Sequence, residues 1–277
     1  MNYFGGDWTR QKIEIVVDYA KAYLTIMNKY PQFKTLYFDG FAGSGSIVKD
    51  EIEIIKGAAI RVLEIDYPKT FDTYYFVEKS DSNKELLQEE IESKFSDRNY
   101  FIVNEDCNQK LNSMASFLKK HTNVRVLAFI DPFGMSVNWT SISCLKNLGV
   151  DLWILVPTGI GVNRLLNNDG NIPDEWFVKL EKFLGISRDE IRSRFYKEVK
   201  TVDLFGDSVS MAIKETNCVQ KINDLYRERL LTIFKYASEA FVLRNSTNSI
   251  MYHFMMATNN KSAFKIANDI IKPKFKL

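Results

Sequence analysis

Asp39-Gly40-Phe41-Ala42-Gly43-Ser44-Gly45 puts one carboxylate and three glycines directly after the apolar run Thr35-Leu36-Tyr37-Phe38. Glycine reaches positive φ without steric cost and lets another molecule approach the backbone. A buried strand feeding such a loop is how an α/β sheet opens a ligand site at its carboxyl edge. A plain turn after a strand is the competing explanation, and so dense a cluster argues against it. Two phosphate loops fit poorly. The Walker pattern ends in Lys-Ser or Lys-Thr, whereas Gly45 is followed by Ser46-Ile47-Val48. The dinucleotide fingerprint is Gly-x-Gly-x-x-Gly running into a helix. Here the spacing is reversed, Gly40-x-x-Gly43-x-Gly45, and Ile47 to Ile55 reads as a hairpin, with Ile52 and Ile54 alternating with Glu51 and Glu53. An acid with no basic neighbour suits a ligand that carries an amine, a positive charge and hydroxyls. S-adenosylmethionine is such a ligand: its carboxylate would sit on loop amides, and Asp39 would favour its amine and sulfonium.

Further apolar runs also end in polar groups. Asp72-Thr73-Tyr74-Tyr75-Phe76-Val77 stops at Glu78, where an acid at the end of a second strand would grip ribose hydroxyls; a solvated strand-end Glu is the alternative. Tyr100-Phe101-Ile102-Val103 leads to Asn104-Glu105-Asp106, and Asp106 is placed to accept from an adenine amine, although such clusters mark any loop. Val124-Arg125-Val126-Leu127-Ala128-Phe129-Ile130 is continuous enough to be a central strand buried on both faces. It ends in Asp131-Pro132-Phe133-Gly134, where proline stops sheet pairing. Asp131 and the Pro132 carbonyl would hold an acceptor amine while a planar substrate stacks on Phe133; a plain Asp-Pro turn is the rival account. Val150-Asp151-Leu152-Trp153-Ile154-Leu155-Val156 ends at Pro157-Thr158-Gly159.

At these residues the chain resembles the three-Cys-motif partner proteins, the TcmP family. Asp39 to Gly45 and Phe129 to Gly134 carry the resemblance, with Trp8-Thr9-x-x-Lys12 and Met255 to Ala263 matching less specifically. The resemblance implies a Rossmann-like class I methyltransferase fold: a mostly parallel sheet with helices on both faces. It also implies S-adenosylmethionine as cofactor, and a partner protein that bears the three cysteines of the family name, so Cys107, Cys144 and Cys218 are not that motif. On this basis Asp39, Gly40, Phe41, Ala42, Gly43, Gly45, Glu78 and Asp106 form the cofactor site, and Asp131, Pro132 and Phe133 present the acceptor. Asp131 to Gly134 is also similar to the Asp-Pro-Pro-Tyr signature of adenine and cytosine amino-methyltransferases, with Phe for the second Pro and Gly for the Tyr. That points to a nucleobase amino group in DNA or RNA. A non-catalytic subunit that keeps the cofactor fold is the second reading, and a nicotinamide-dependent oxidoreductase the third.

These side chains need a scaffold. At 277 residues and 45% hydrophobic, the chain can bury one α/β core. We expect a single domain over 1–277 with a helical insertion from about 160 to 234, after the fifth strand, where substrate choice would be made. Helices are predicted at 10–29, 58–65, 82–94, 107–121, 174–183, 188–199, 218–237 and 262–271. The first has Thr9 as N-cap and Ile13, Val16, Val17, Ala20 and Leu24 on one face. Only two histidines, His121 and His253, are present, which argues against a histidine metal centre or a serine triad; His253 reads as a core or strand-surface residue. Three widely spaced cysteines suggest neither disulfides nor zinc. No apolar run reaches membrane-helix length and the first residues lack a signal-peptide shape, so a cytoplasmic protein is expected. Net charge is only +2, and the basic stretches Arg188 to Lys200 and Lys272 to Lys276 read as solvated surface sooner than as a nucleic-acid track. Arg164 is a candidate for a substrate phosphate or carboxylate, with an ordinary surface arginine the simpler account. Trp8 and Lys12 suggest a lid, or for Trp8 a hydrophobic staple.

Overall fold

In the computed structural model, which describes residues 7–49, 53–202, 205 and 208–272, the elements follow in chain order. They are α1 (Asp7–Met27), β1 (Lys34–Asp39), β2 (Ser46–Lys49), β3 (Glu53–Lys56), α2 (Ala58–Leu63), β4 (Thr73–Val77), α3 (Asp81–Lys94) and β5 (Tyr100–Val103). Next come α4 (Cys107–Lys120), β6 (Val124–Ile130), α5 (Trp139–Ser143), β7 (Val150–Val156), a π-helical turn (Thr158–Val162) and α6 (Asn163–Leu165). The remainder are α7 (Asp174–Leu184), α8 (Arg188–Phe195), β8 (Tyr196–Val202), β9 (Ser208–Lys214), α9 (Cys218–Leu231), β10 (Tyr236–Ala237), β11 (Phe241–Arg244), β12 (Ile250–Thr258) and α10 (Lys261–Ile271).

The main sheet has the order β10-β12-β7-β6-β1-β4-β5, with β11 also on β12. Strands β5, β4, β1, β6 and β7 are mutually parallel, and β12 lies antiparallel on β7. Helices cover both faces, giving the Rossmann-like, doubly wound arrangement. Period-two alternation sorts the strand side chains. Tyr37, Phe76, Phe129 and Trp153 pack with α1, α2 and α10, while Phe38, Ala128 and Ile154 pack with α4, α5, α7 and α9. The apolar stripe of α1 is buried throughout, from Ile13 to Leu24, and truncating such a leucine to alanine costs about 2–5 kcal/mol. All parallel strands point the same way, so their acidic ends share one edge. Register fixes this further: Asp39 pairs with Phe76 on one side and Phe129 on the other.

Several boundaries differ from the expectation. Helix α1 already runs at Asp7, so Thr9 lies buried inside it and is no cap. Helix α8 stops at Phe195, not at residue 199: Tyr196–Val202 pairs with Ser208–Lys214 in a two-stranded ribbon, consistent with the strand preference of Val199, Thr201 and Val202. The stretch after β7 therefore holds a ribbon as well as helices. Helix α9 ends at Leu231, and Tyr236 and Ala237 join β12. The short α5 has no counterpart in the expectation. The hairpin expected over 47–55 is present as β2 paired with β3, with Glu51 and Ile52 outside the described residues, as are the first six residues and the basic tail beyond Lys272. Among the described residues no helix is long and apolar enough to cross a membrane.

Candidate functional site

The loop after β1 is pinned by its own backbone. Gly40 N–H donates to the Phe129 carbonyl (2.9 Å), Ala42 N–H to the Val77 carbonyl (3.0 Å), and Gly43 N–H to Glu78 Oε2 (2.9 Å). Phe41 N–H donates to Asp39 Oδ1 (3.1 Å). Gly40 is crowded: a Cβ there would lie 2.6 Å from Cys107 Sγ and 2.7 Å from Ile130 Cδ1. Gly43 and Gly45 sit at φ +66° and +81°, the left-handed region that glycine enters most readily. The amides of residues 40–43 are thus committed inside the protein. The expectation that loop amides receive a ligand carboxylate fails for these four.

Asp39 is buried at 1% exposure and also accepts from Tyr37 Oη at 3.4 Å. Burial is the main force pushing its carboxyl up to about 7; the Phe41 amide opposes this, Asp131 adds to it, and Lys12 offsets part. Glu78, also buried, does two jobs at once. Its Oε2 holds Gly43 and its Oε1 accepts from Ser80 N–H at 2.8 Å. Asp106 caps α4 through the Asn108 amide at 2.9 Å. Asn108 in turn bridges to the loop after β6, accepting from Asn138 N–H (2.7 Å) and donating to the Ser136 carbonyl (2.9 Å). Cys107, next to Asp106, lies against Gly40, so the start of α4 meets the loop after β1.

Asp131 is half-buried, Pro132 buried, and Phe133 78% exposed, with its ring edge-to-face against Phe41 at 6.4 Å. Sequence reasoning left one partner outside the core site. Lys12, from α1 and only 6% exposed, forms an ion pair with Asp131. Its ammonium lies 5.4 Å from the Trp8 ring centroid, and Trp8 packs on Tyr252 at 5.5 Å. Burial, then Asp131, raises the Tyr252 phenol. The signal available was the i, i+4 spacing of Trp8 and Lys12 on one face of α1. The structure therefore gathers Asp39, the glycine loop, Glu78, Asp106, Asp131, Pro132 and Phe133 on one sheet edge and adds Lys12, Trp8 and Tyr252. Arg164 is exposed on α6, near enough for its charge to act on Tyr252. His253 is a core residue: its Nδ1 shares a 2.7 Å hydrogen bond with Thr158 Oγ1, and burial lowers its pKa to about 4.

The basic stretch is largely spent locally. Arg188 pairs with Asp174, Arg194 with Glu190 and Glu228, and Arg192 stacks on Phe177.

No family model and no curated protein matches the sequence. Among solved structures, the chain is similar to LPL1258 from Legionella pneumophila at 15% identity, over 93% of this chain and 99% of that one, with a TM-score of 0.45. Trm1 from Pyrococcus horikoshii, solved with S-adenosyl-L-methionine, matches at 12% identity over 91% of this chain and 64% of its own, TM-score 0.38. Spermidine synthase from Thermotoga maritima matches at 12% over 91% and 59%, TM-score 0.40.

Proposed function

We propose that this chain is an S-adenosylmethionine-dependent methyltransferase that modifies an amino group of a nucleobase. One observation carries the reading: a glycine loop and the acids Asp39, Glu78 and Asp131 stand at the carboxyl ends of three adjacent parallel strands, on one edge of the sheet. The donor set suits the cofactor. Each Glu78 oxygen takes one amide, which leaves each a lone pair for a ribose hydroxyl. Asp39 and Asp131 supply negative charge for the amine and sulfonium, and Asp106 an acceptor for the adenine amine. With the amides of 40–43 committed, Lys12 is the cation within the cluster that can meet the methionine carboxylate.

When bound, the cofactor supplies an activated methyl group that is displaced in line, so catalysis is mostly positioning. Asp131 and the Pro132 carbonyl orient the acceptor N–H groups, and Asp131 can accept the proton the nitrogen loses. The exposed Phe133 ring gives a planar base a stacking surface. The resemblance supports a cysteine-motif partner protein that acts with this chain. Labelled methyl transfer to DNA or RNA tests the proposal: incorporation lost in Asp131→Ala supports it, and a wild-type chain that binds neither cofactor nor demethylated product sinks it.

The Lys12–Asp131 ion pair favours a second reading, a non-catalytic subunit, because it occupies the carboxylate that would face the acceptor. Methyl incorporation by the isolated chain removes that reading. Cofactor binding without transfer, even with a stoichiometric partner present, establishes it.

A further inference from the structure

The opposite edge of the sheet carries a cleft of about 930 Å³ at the amino ends of β6 and β7. The seven residues of β6 separate it from Asp131, a span of roughly 20 Å at strand rise. Its lining holds two polar groups that the proposed chemistry does not use. Asp151 is held by neutral hydroxyls: Tyr19 Oη donates at 2.7 Å, and Thr258 Oγ1 donates to the other oxygen. Burial pushes the Asp151 carboxyl up, against the pull of those hydroxyls and of Arg125. Tyr23 Oη is buried in a side chain 7% exposed and has no hydrogen-bond partner among the described residues. It lies within electrostatic reach of Asp151. Such an unsatisfied hydroxyl is costly unless something fills its hydrogen bond.

The cleft is therefore lined by a carboxylate and by a tyrosine whose hydroxyl lacks a partner, among the rings of Tyr19, Tyr23 and Phe33. Its cations are Lys119, Lys235 and Arg125, the last stacked 3.9 Å over Phe33. A simple amine would suit Asp151 but meet three positive charges. A bare phosphate would suit the lysines but meet Asp151. A ligand with a planar, hydrogen-bonding end and an anionic end satisfies both. We propose that this cleft binds a mononucleotide, its base edge on Asp151 and Tyr23 and its phosphate at Lys119 and Lys235.

The test is calorimetric titration of the full chain with AMP, GMP, CMP and UMP in saturating S-adenosylhomocysteine, so that an adenosyl crevice at the other edge is filled. At least one nucleotide should bind, and its nucleoside about tenfold more weakly. Tyr23→Phe, which removes a hydroxyl without a protein partner, should weaken binding about tenfold while leaving the melting temperature unchanged or raised. Lys235→Ala should reduce the advantage of nucleotide over nucleoside. No heat from any of the four up to about 1 mM, weaker than almost any specific site, overturns the proposal. So does binding indifferent to both substitutions. If S-adenosylhomocysteine itself fails to bind, the methyltransferase reading falls, and dependence on Tyr23 still decides this one.

Discussion

Asp39→Asn should make this protein more stable at pH 8 while weakening its hold on the cofactor. The Asp39 carboxyl rises from its ordinary 3.8 to about 7, chiefly through burial. The folded state thus holds this proton more tightly than the unfolded chain does. Its unfavourable contribution is absent below pH 3.8, grows between 3.8 and 7, and is complete above 7. A shift of roughly three units at about 1.4 kcal/mol each amounts to about 4 kcal/mol. Asparagine removes the charge and keeps an oxygen for the Phe41 amide. Over 277 residues the melting entropy is about 0.6 kcal/mol/K, so the substitution should raise the melting temperature by about 7 °C at pH 8. At pH 5 the gain should shrink to about a third, because only part of the titration has occurred. Thermal melts of both proteins at the two pH values check this. A pH-independent gap, or a less stable variant at pH 8, would refute the placement of a strained carboxylate at the end of β1.

Other outcomes follow from the same geometry. Cofactor affinity should fall about tenfold per pH unit below 7, since a cationic ligand requires Asp39 ionised; calorimetry from pH 5.5 to 8 reads it, and a flat profile would exclude Asp39 from the site. Gly40→Ala drives a methyl group into Cys107 and Ile130 and should cost about 1–3 kcal/mol in urea unfolding, with cofactor binding reduced; unchanged stability would mean the loop is free to shift. Lys12→Met retains much of the side-chain length but leaves Asp131 unpaired, and should weaken cofactor binding at least tenfold, or about 1.4 kcal/mol. Equal affinity would remove Lys12 from the site.

The strand ends were legible because chemistry and periodicity coincide there: an apolar run buried on both faces, then an acid, then glycine or proline. Their shared edge follows from parallel pairing. What resisted reading was interaction across sequence. Lys12 and Asp131 are 119 residues apart, and nothing local in Trp8-Thr9-Arg10-Gln11-Lys12 names an acid as partner. The β8–β9 ribbon was hidden because helix-spaced Ile191 and Phe195 run directly into alternating strand residues, with no glycine or proline between. Burial, in the same way, overturns the solvated strand-end account of Glu78, whose carboxylate anchors the loop.

In the proposed complex, the double role of Glu78, as loop anchor and ribose ligand, would couple the two halves of the cofactor. Glu78 is fastened to Gly43 on one side and Ser80 on the other, so a sugar that draws on its remaining lone pairs also stiffens the turn beside the amino-acid end. Adenosine and methionine offered as separate fragments should then bind with positive cooperativity, each paying less when the other is present. Severing the Gly43 link should abolish that cooperativity and leave the two fragments binding independently.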